Sequence, residues 1–251
     1  VNDLARPIDL IHHPRSASIV ICIHGFTSTP FAMRELAHVL FDDGHDAQTI
    51  LLPGHGTTPD ALGDVRWTDW VDAVKRAVET VRQTYTYVFF CGQSMGAALS
   101  LLVSTDIPVD GVVTISAGYR IPVWKIAMLR MIAPFVTFIG KHDGPDIKDP
   151  EARQTEIHYD RMAVRGVLEL ARLIEAMRRR LHDVRAPLLL IHAAEDHTFP
   201  HVHQMRIAQS VASSVKKTIV LTNSYHVATL DYDKSIIHDG VRQFLRDLIK
   251  L

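Results

Sequence analysis

The chain has 251 residues, 47% of them hydrophobic and 22% charged, with a formal net charge of −1 and a pI near 7.0. That length suits one sizeable α/β domain with a buried core, and the ordinary composition excludes a disordered or fibrous chain. The balanced charge lacks the basic excess that a nucleic-acid partner calls for, so none is expected.

No signal-peptide pattern is visible at the start, and a cytoplasmic location is expected. "SIVICIHGF" (18–26) is a continuous apolar run, the kind buried on both faces of a parallel sheet. "PFAMRELAHVLFDDG" (30–44) has helical periodicity, with Pro30 near its start and Gly44 past its end. "DAQTILLPGHG" (46–56) reads as a strand running into a glycine-rich loop. "TDWVDAVKRAVETVRQ" (68–83) reads as a helix with Thr68 as its N-cap. Tyr87–Cys91 reads as a buried strand and Met95–Ser104 as a helix, and "VDGVVTISA" (109–117) is the next strand. Residues 118–183 then carry no strand pattern. They hold the apolar run 121–140, a loop "KHDGPDIKDP" (141–150) and a helix over 163–181. The alternation resumes with strands at 186–196 and 216–224 and helices at 200–212 and 234–250. Strands alternating with helices imply a mainly parallel sheet wrapped on both faces. The expected organisation is a core of residues 1–117 and 184–251 and a cap of residues 118–183 over the C-terminal edge of the sheet, where such folds bind ligands.

The apolar run 121–140 is nearly long enough to span a bilayer, but Lys125 and Arg130 interrupt it and Pro122 and Pro134 break it, so no transmembrane helix is expected. The two cysteines, Cys22 and Cys91, fall in expected buried strands and read as unpaired core thiols. The run Arg178–Arg179–Arg180 reads as the solvated end of a helix. The sequence carries no signal of oligomeric state.

One short string carries chemistry. In "FFCGQSMGAALS" (89–100), Ser94 stands between Gly92 and Gly96 where a strand turns directly into a helix. Such a turn forces the middle residue into a cramped conformation and requires small neighbours, pushing the hydroxyl out at a helix N-terminus. A serine needs a base to become a nucleophile, usually a histidine oriented by a buried carboxylate. With 15 histidines in the chain, position must choose among them. His226 lies just past the final strand, and Glu195 and Asp196 just past the strand before it. Either carboxylate could serve by charge. Asp196 is expected, because its shorter side chain stands one residue further along, where the loop turns toward the edge. The order Ser94, Asp196, His226 is the one this architecture uses. Two backbone N–H donors for an oxyanion are expected at Met95, after the nucleophile, and at Phe26, in "HGFTSTP" after the first long strand.

The strings "HGFTSTP" (24–30), "LPGHGT" (52–57), "GQSMGA" (92–97), "GPDIKDP" (144–150), "ELARL" (169–173), "EDHTFP" (195–200) and "NSYHVATLDYD" (223–233) run through nearly the whole chain. Together they resemble the α/β-hydrolase superfamily, and more narrowly the bacterial monoacylglycerol lipases and related carboxylesterases. The resemblance implies an α/β-hydrolase fold with an inserted cap and a Ser94–Asp196–His226 triad with Phe26 and Met95 as donors. It also implies cleavage of monoacylglycerols to fatty acid and glycerol through an acyl-enzyme on Ser94. Simple short- to medium-chain esters are the alternative substrate. Tyr159–Asp160 stands where the family more often has Tyr-Glu, making Asp160 the expected acceptor for glycerol hydroxyls. Ile147, within "GPDIKDP", is expected in the substrate site. Trp124 and Met128, with other large apolar groups of 121–140, are expected to line the acyl chain and to touch lipid aggregates transiently.

The same residues admit other functions. A thioesterase or acyltransferase would use the same triad. An epoxide hydrolase or dehalogenase would need a carboxylate at position 94. A ligand receptor that keeps the pocket without turnover is the alternative from another class. His24 and His55 read as loop-stabilising residues. His197, His201 and His203 lie close in sequence, but Pro200 breaks the spacing, and neither a metal nor any other cofactor is expected.

Overall fold

The computed structural model describes residues 3–140 and 144–249, so the first three residues of the expected loop 141–150 fall outside it. In chain order the elements are β1 (Asp9–Leu10), β2 (Ser18–Ile23), α1 (Phe31–Asp42), β3 (Asp46–Ile50), α2 (Pro59–Asp64), α3 (Trp67–Arg82), β4 (Tyr87–Gln93), α4 (Met95–Val103) and β5 (Gly111–Ile115). They continue with α5 (Val123–Ile132), β6 (Phe138–Gly140), α6 (Pro150–Thr155), β7 (Arg161–Ala163), α7 (Val164–Arg180), β8 (Leu188–Ala193), α8 (Val202–Ser210), β9 (Lys216–Leu221) and α9 (Lys234–Ile249).

The apolar runs form one seven-stranded sheet in the order β1-β3-β2-β4-β5-β8-β9, parallel except for the short β1. Its inner strands β2, β5 and β8 are buried along their whole length, because helices cover both faces. Alternate side chains sort to two cores. Ile19, Ile21 and Phe90 pack with Trp70 and Val74 of α3, Leu99 of α4 and Leu173 of α7. Val20, Phe89 and Val113 pack with Met33 and Leu36 of α1 and Val241 and Phe244 of α9. Each fully buried side chain of this size contributes about 1.5–3 kcal/mol. Cys22 and Cys91 are directly opposed on β2 and β4, buried and free. The neighbouring Cys22 thiol, together with burial, pushes the Cys91 thiol well above its usual range.

The topology fixes where a site can form. From β2 the chain moves outward to β3, then returns to place β4 on the other side of β2. The loops leaving β2 and β4 therefore diverge at the C-terminal edge and open a crevice there.

Two local expectations change. Helix α3 begins at Trp67 rather than after Thr68, because the Asp69 carboxylate accepts the Arg66 N–H at 2.8 Å and closes the first turn two residues earlier. The insert between β5 and β8, expected to lack strands, contains β6 and β7, which pair antiparallel at Phe138↔Ala163 and Gly140↔Arg161. Three residues per strand are too few to show an alternation in sequence. The apolar run 121–140 supplies α5, in which Leu129 alone is buried. No helix among the described residues is long and apolar enough to cross a membrane.

Candidate active site

Strand β4 ends at Gln93 and helix α4 begins at Met95, so Ser94 alone makes the turn. It takes φ 55° and ψ −110°, a conformation costing a non-glycine residue on the order of 1–3 kcal/mol. The flanking glycines are dictated by sterics. A Cβ on Gly92 would stand 2.3 Å from the Gly96 carbonyl, and one on Gly96 would stand 2.1 Å from Ile23 O. The Ser94 N–H is held by Ile115 O at 2.8 Å, anchoring the strained residue to β5.

The loop after β2 packs against this turn. A Cβ on Gly25 would lie 3.3 Å from Ser94 Cβ. His24 braces the loop: its Nε2 accepts the Leu52 N–H at 3.1 Å, so its Nδ1 carries the proton and donates to Gly25 O at 2.8 Å. Burial first, and then the nearby His55, lowers the His24 pKa to about 3, so the ring stays neutral. His55 is lowered to about 4 by burial and stands edge-on to the His24 ring, with centroids 4.9 Å apart. Phe26 follows Gly25 in the loop after β2, and Met95, directly after Ser94, is the first residue of α4. Neither N–H has an acceptor among the described residues.

His226 and Asp196 reach the serine from the loops after β9 and β8. His226 Nδ1 lies 2.8 Å from Asp196 Oδ2, and His226 Nε2 lies 2.8 Å from Ser94 Oγ. A carboxylate only accepts, so the proton sits on Nδ1 and Nε2 accepts from the serine hydroxyl. All three residues are buried. Asp196 Oδ1 accepts the Thr198 and Phe199 N–H groups at 2.8 and 2.7 Å. Burial, the largest single influence on Asp196, raises its pKa. The His226 charge and the hydrogen bonds from His192, His226 and Phe199 together outweigh it and hold the carboxyl well below the usual range. Glu195 is exposed and pairs with Lys148 at 3.2 Å.

A second carboxylate ties the histidine loop down. Asp231 accepts four backbone N–H groups, from Lys148, Asp149, Tyr225 and Tyr232, at 2.8–3.0 Å. It joins the segment before α6 to the loop carrying His226.

These loops and the insert enclose a cavity of about 750 Å³ with Ser94 and His226 in its wall. Its lining includes apolar Phe26, Met162, Leu170 and Phe199 and polar Ser28, Asp146, Arg153 and Glu156. Glu156 was not singled out from the sequence. Its Oε1 accepts the Ser28 hydroxyl at 2.9 Å, while its Oε2 is buried without a hydrogen-bond partner. The segment around it is strapped to the loop after β2 by Tyr159 N–H to Thr27 O at 2.9 Å and Thr29 Oγ1 to Ile157 O at 3.2 Å.

The structure therefore brings Ser94, Asp196 and His226 together, with Phe26 and Met95 beside them. It does not bring the four expected substrate contacts to the cavity wall. Asp160 is exposed and outside the lining, because the strapped segment turns Glu156 inward four residues earlier. Trp124 is 64% and Met128 44% exposed, because α5 buries only Leu129. Ile147 is buried in a small cluster with Ala32, Val227 and Leu230 behind the wall. The three clustered histidines separate: His197 bonds Asp146, His201 bonds Gln204 and His203 accepts from the Tyr119 N–H. No group of three potential metal ligands occurs among the described residues.

The chain is similar to known lipases and esterases. A thermostable monoacylglycerol lipase of Bacillus sp. (strain H-257) is 32% identical over 228 residues, 90% of this chain and 89% of that protein. A carboxylesterase of Bacillus subtilis (strain 168) is 26% identical over 231 residues, 91% of this chain and 92% of that protein. A solved structure reported with LipS and LipT, two metagenome-derived lipolytic enzymes, superposes with a TM-score of 0.92 at 30% identity, covering 98% of this chain and 99% of that one. The sequence profile described as serine aminopeptidase, S33, matches residues 14–233. The chain is an α/β-hydrolase and belongs to that family.

Proposed function

We propose that this chain cleaves monoacylglycerols to fatty acid and glycerol through an acyl-enzyme on Ser94. It is a carboxylic ester hydrolase of its family, and the proposal concerns its substrate and the residues that act. The observation that carries the reading is the chain Asp196–His226–Ser94, with Ser94 and His226 in the wall of a cavity lined by both apolar and polar groups.

In this mechanism His226 Nε2 takes the Ser94 proton as Oγ attacks the ester carbonyl. Asp196 remains ionised, holds Nδ1–H and stabilises the imidazolium. The N–H groups of Phe26 and Met95 receive the developing oxyanion, each worth about 3–4 kcal/mol in such sites. The glycerol oxygen leaves with the proton from His226. Water then gives its proton to His226 and attacks the acyl carbon, and fatty acid departs as Ser94 recovers its hydrogen. The acyl chain lies along Phe26, Met162 and Leu170. The free glycerol hydroxyls lie toward Ser28, Arg153 and Glu156, where Glu156 Oε2 lacks a hydrogen bond and has only the His158 ring, at 3.8 Å, as an ionic neighbour. Residues 118–183 act as the cap of this site. Val123, Trp124, Met131 and Phe135, all exposed, offer an apolar face for contact with lipid aggregates.

The paired test uses one acyl chain on two alcohols. Glu156→Gln is expected to lose about 1.5–3 kcal/mol of transition-state binding on monoacylglycerol, tenfold or more in kcat/KM. The methyl ester, with no hydroxyl to offer, stays within about twofold. Equal losses on both substrates, or none on either, would remove Glu156 from the alcohol side. The second reading, hydrolysis of simple short- to medium-chain esters, is supported only as far as one relative is named a carboxylesterase. A wild-type preference for the methyl ester would select it.

A further inference from the structure

His192 is the fifth residue of β8 and is buried in the apolar string Leu188–Ala193. Its Nε2 lies 2.7 Å from Phe199 O and 3.3 Å from Asp196 Oδ2. Both neighbours only accept, so Nε2 carries the proton and points it between them. Nδ1 is then the lone-pair nitrogen, and it is buried with no partner. An aliphatic residue in this strand would avoid that cost. The imidazole is therefore explained by what its other nitrogen holds.

The two groups it holds bracket His226. Behind His226 is Asp196, whose Oδ2 receives Nδ1–H of His226 at 2.8 Å; His192 adds a second imidazole donor to the same oxygen. Beside His226 is the Phe199 ring, edge-on with centroids 5.7 Å apart. Gly118 packs tightly against that ring: a Cβ on Gly118 would stand 2.5 Å from it. Fixing the Phe199 carbonyl and the Asp196 carboxylate from one N–H thus fixes both neighbours of the base. Asp196 Oδ1 is meanwhile held by the Thr198 and Phe199 N–H groups, so the whole turn 196–199 closes on His192.

We propose that His192 is a positioning residue for the hydrolysis. Its Nε2–H locks Asp196 Oδ2 and the Phe199 carbonyl, and so sets the angle at which His226 meets Ser94. The inference rests on the triad reading given above. It requires a donor at position 192, not merely a side chain of the right volume.

The test compares His192→Met, which keeps bulk and removes the donor, with His192→Gln, which returns an N–H. In His192→Met, kcat on a p-nitrophenyl ester is expected to fall about 10- to 100-fold, the scale of a small misplacement of a reacting group, with KM within about twofold. His192→Gln is expected to recover most of that loss. The low-field proton resonance of His226 Nδ1–H, assigned by its absence in His226→Ala, should shift or broaden in His192→Met and return in His192→Gln. A residue that only supports the fold would lower the melting temperature and leave kcat and the resonance unchanged. That outcome overturns the inference. Should His192→Met not fold, nitrogen-15 histidine spectra of the wild-type protein decide: the Nε2–H tautomer at His192 is required, and the Nδ1–H tautomer excludes it. Ser94→Ala separates the two readings. Activity surviving in Ser94→Ala would remove the triad itself, whereas an inactive Ser94→Ala beside a fully active His192→Met would remove only the role of His192.

Discussion

The loops at the C-terminal edge of the sheet and helix α5 treat their side chains in opposite ways. In the loops, two buried carboxylates are bonded close to saturation: Asp231 takes four N–H groups, and Asp196 takes two N–H groups and His226. In α5 a mostly apolar helix buries Leu129 alone and leaves Val123, Trp124, Met128 and Met131 exposed. Saturated buried hydrogen bonds over-determine geometry, which a strained serine at φ 55° requires. A helix with so little burial sits at the low end of local stability. The difference teaches that chemistry and selectivity are held by separate devices. Changes in the loops should therefore act on every ester alike, and changes in the insert should act on some substrates only.

The largest effect that sharpens this contrast is expected at Asp196. Asp196→Asn presents an amide to His226 Nδ1 and favours the wrong tautomer, which costs about four powers of ten in kcat. Every ester should suffer equally. Glu195→Gln, at an exposed residue paired with Lys148, should leave kcat within about twofold. A larger loss from Glu195→Gln than from Asp196→Asn would reassign the carboxylate. The tenfold, substrate-selective loss expected from Glu156→Gln lies in the middle, and a uniform loss there would break the division between loops and insert.

A further effect is on stability rather than turnover, and it belongs to the loops. His24 and His55 have pKa values lowered to about 3 and about 4, against about 6.5 in the unfolded chain. Below pH 6.5 the unfolded state binds protons that these two residues refuse in the folded state. Their contribution is thus fully present above about pH 6.5 and is lost as pH falls toward the folded values. Asp196 acts lower: its depressed carboxyl contributes above the usual carboxylate range and is lost only as pH falls below it. At pH 5.5 unfolding should let this histidine pair take up about 1.8 protons, a slope of about 2.4 kcal/mol per pH unit. In His55→Gln the slope of unfolding free energy against pH should fall by about one proton. An unchanged slope would mean that His55 already titrates normally in the folded protein.

What could be read from sequence follows the range of the forces involved. The turn at Ser94 is legible because its steric demands act within two residues, on Gly92 and Gly96. Asp196 and His226 are legible because strand order alone carries them to the same edge. Glu156 and Asp160 look alike in the string "TEIHYD"; what separates them is the Ser28 hydroxyl, 128 residues away in sequence. His192 hides inside an apolar strand and shows its role only through Phe199 O and Asp196 Oδ2. Helix α5 lacks a periodic signal because it is apolar on its exposed side as well, so no polar face marks its turns. Trp124 and Met128 were expected in the pocket for the same reason: apolar character alone does not say which way a helix faces.

The nucleophile assignment is tested most directly by trapping. A medium-chain alkyl phosphonate ester with a p-nitrophenol leaving group is added to the protein. Intact-mass and peptide mass spectrometry then follow the adduct as ester hydrolysis is lost. A Ser94 nucleophile predicts one adduct per chain, on the peptide containing Ser94, appearing in step with inactivation. It also predicts that Ser94→Ala takes up no label and loses about six orders of magnitude in turnover while remaining folded. An adduct on another residue, or a folded Ser94→Ala that keeps a tenth of wild-type activity, would contradict it.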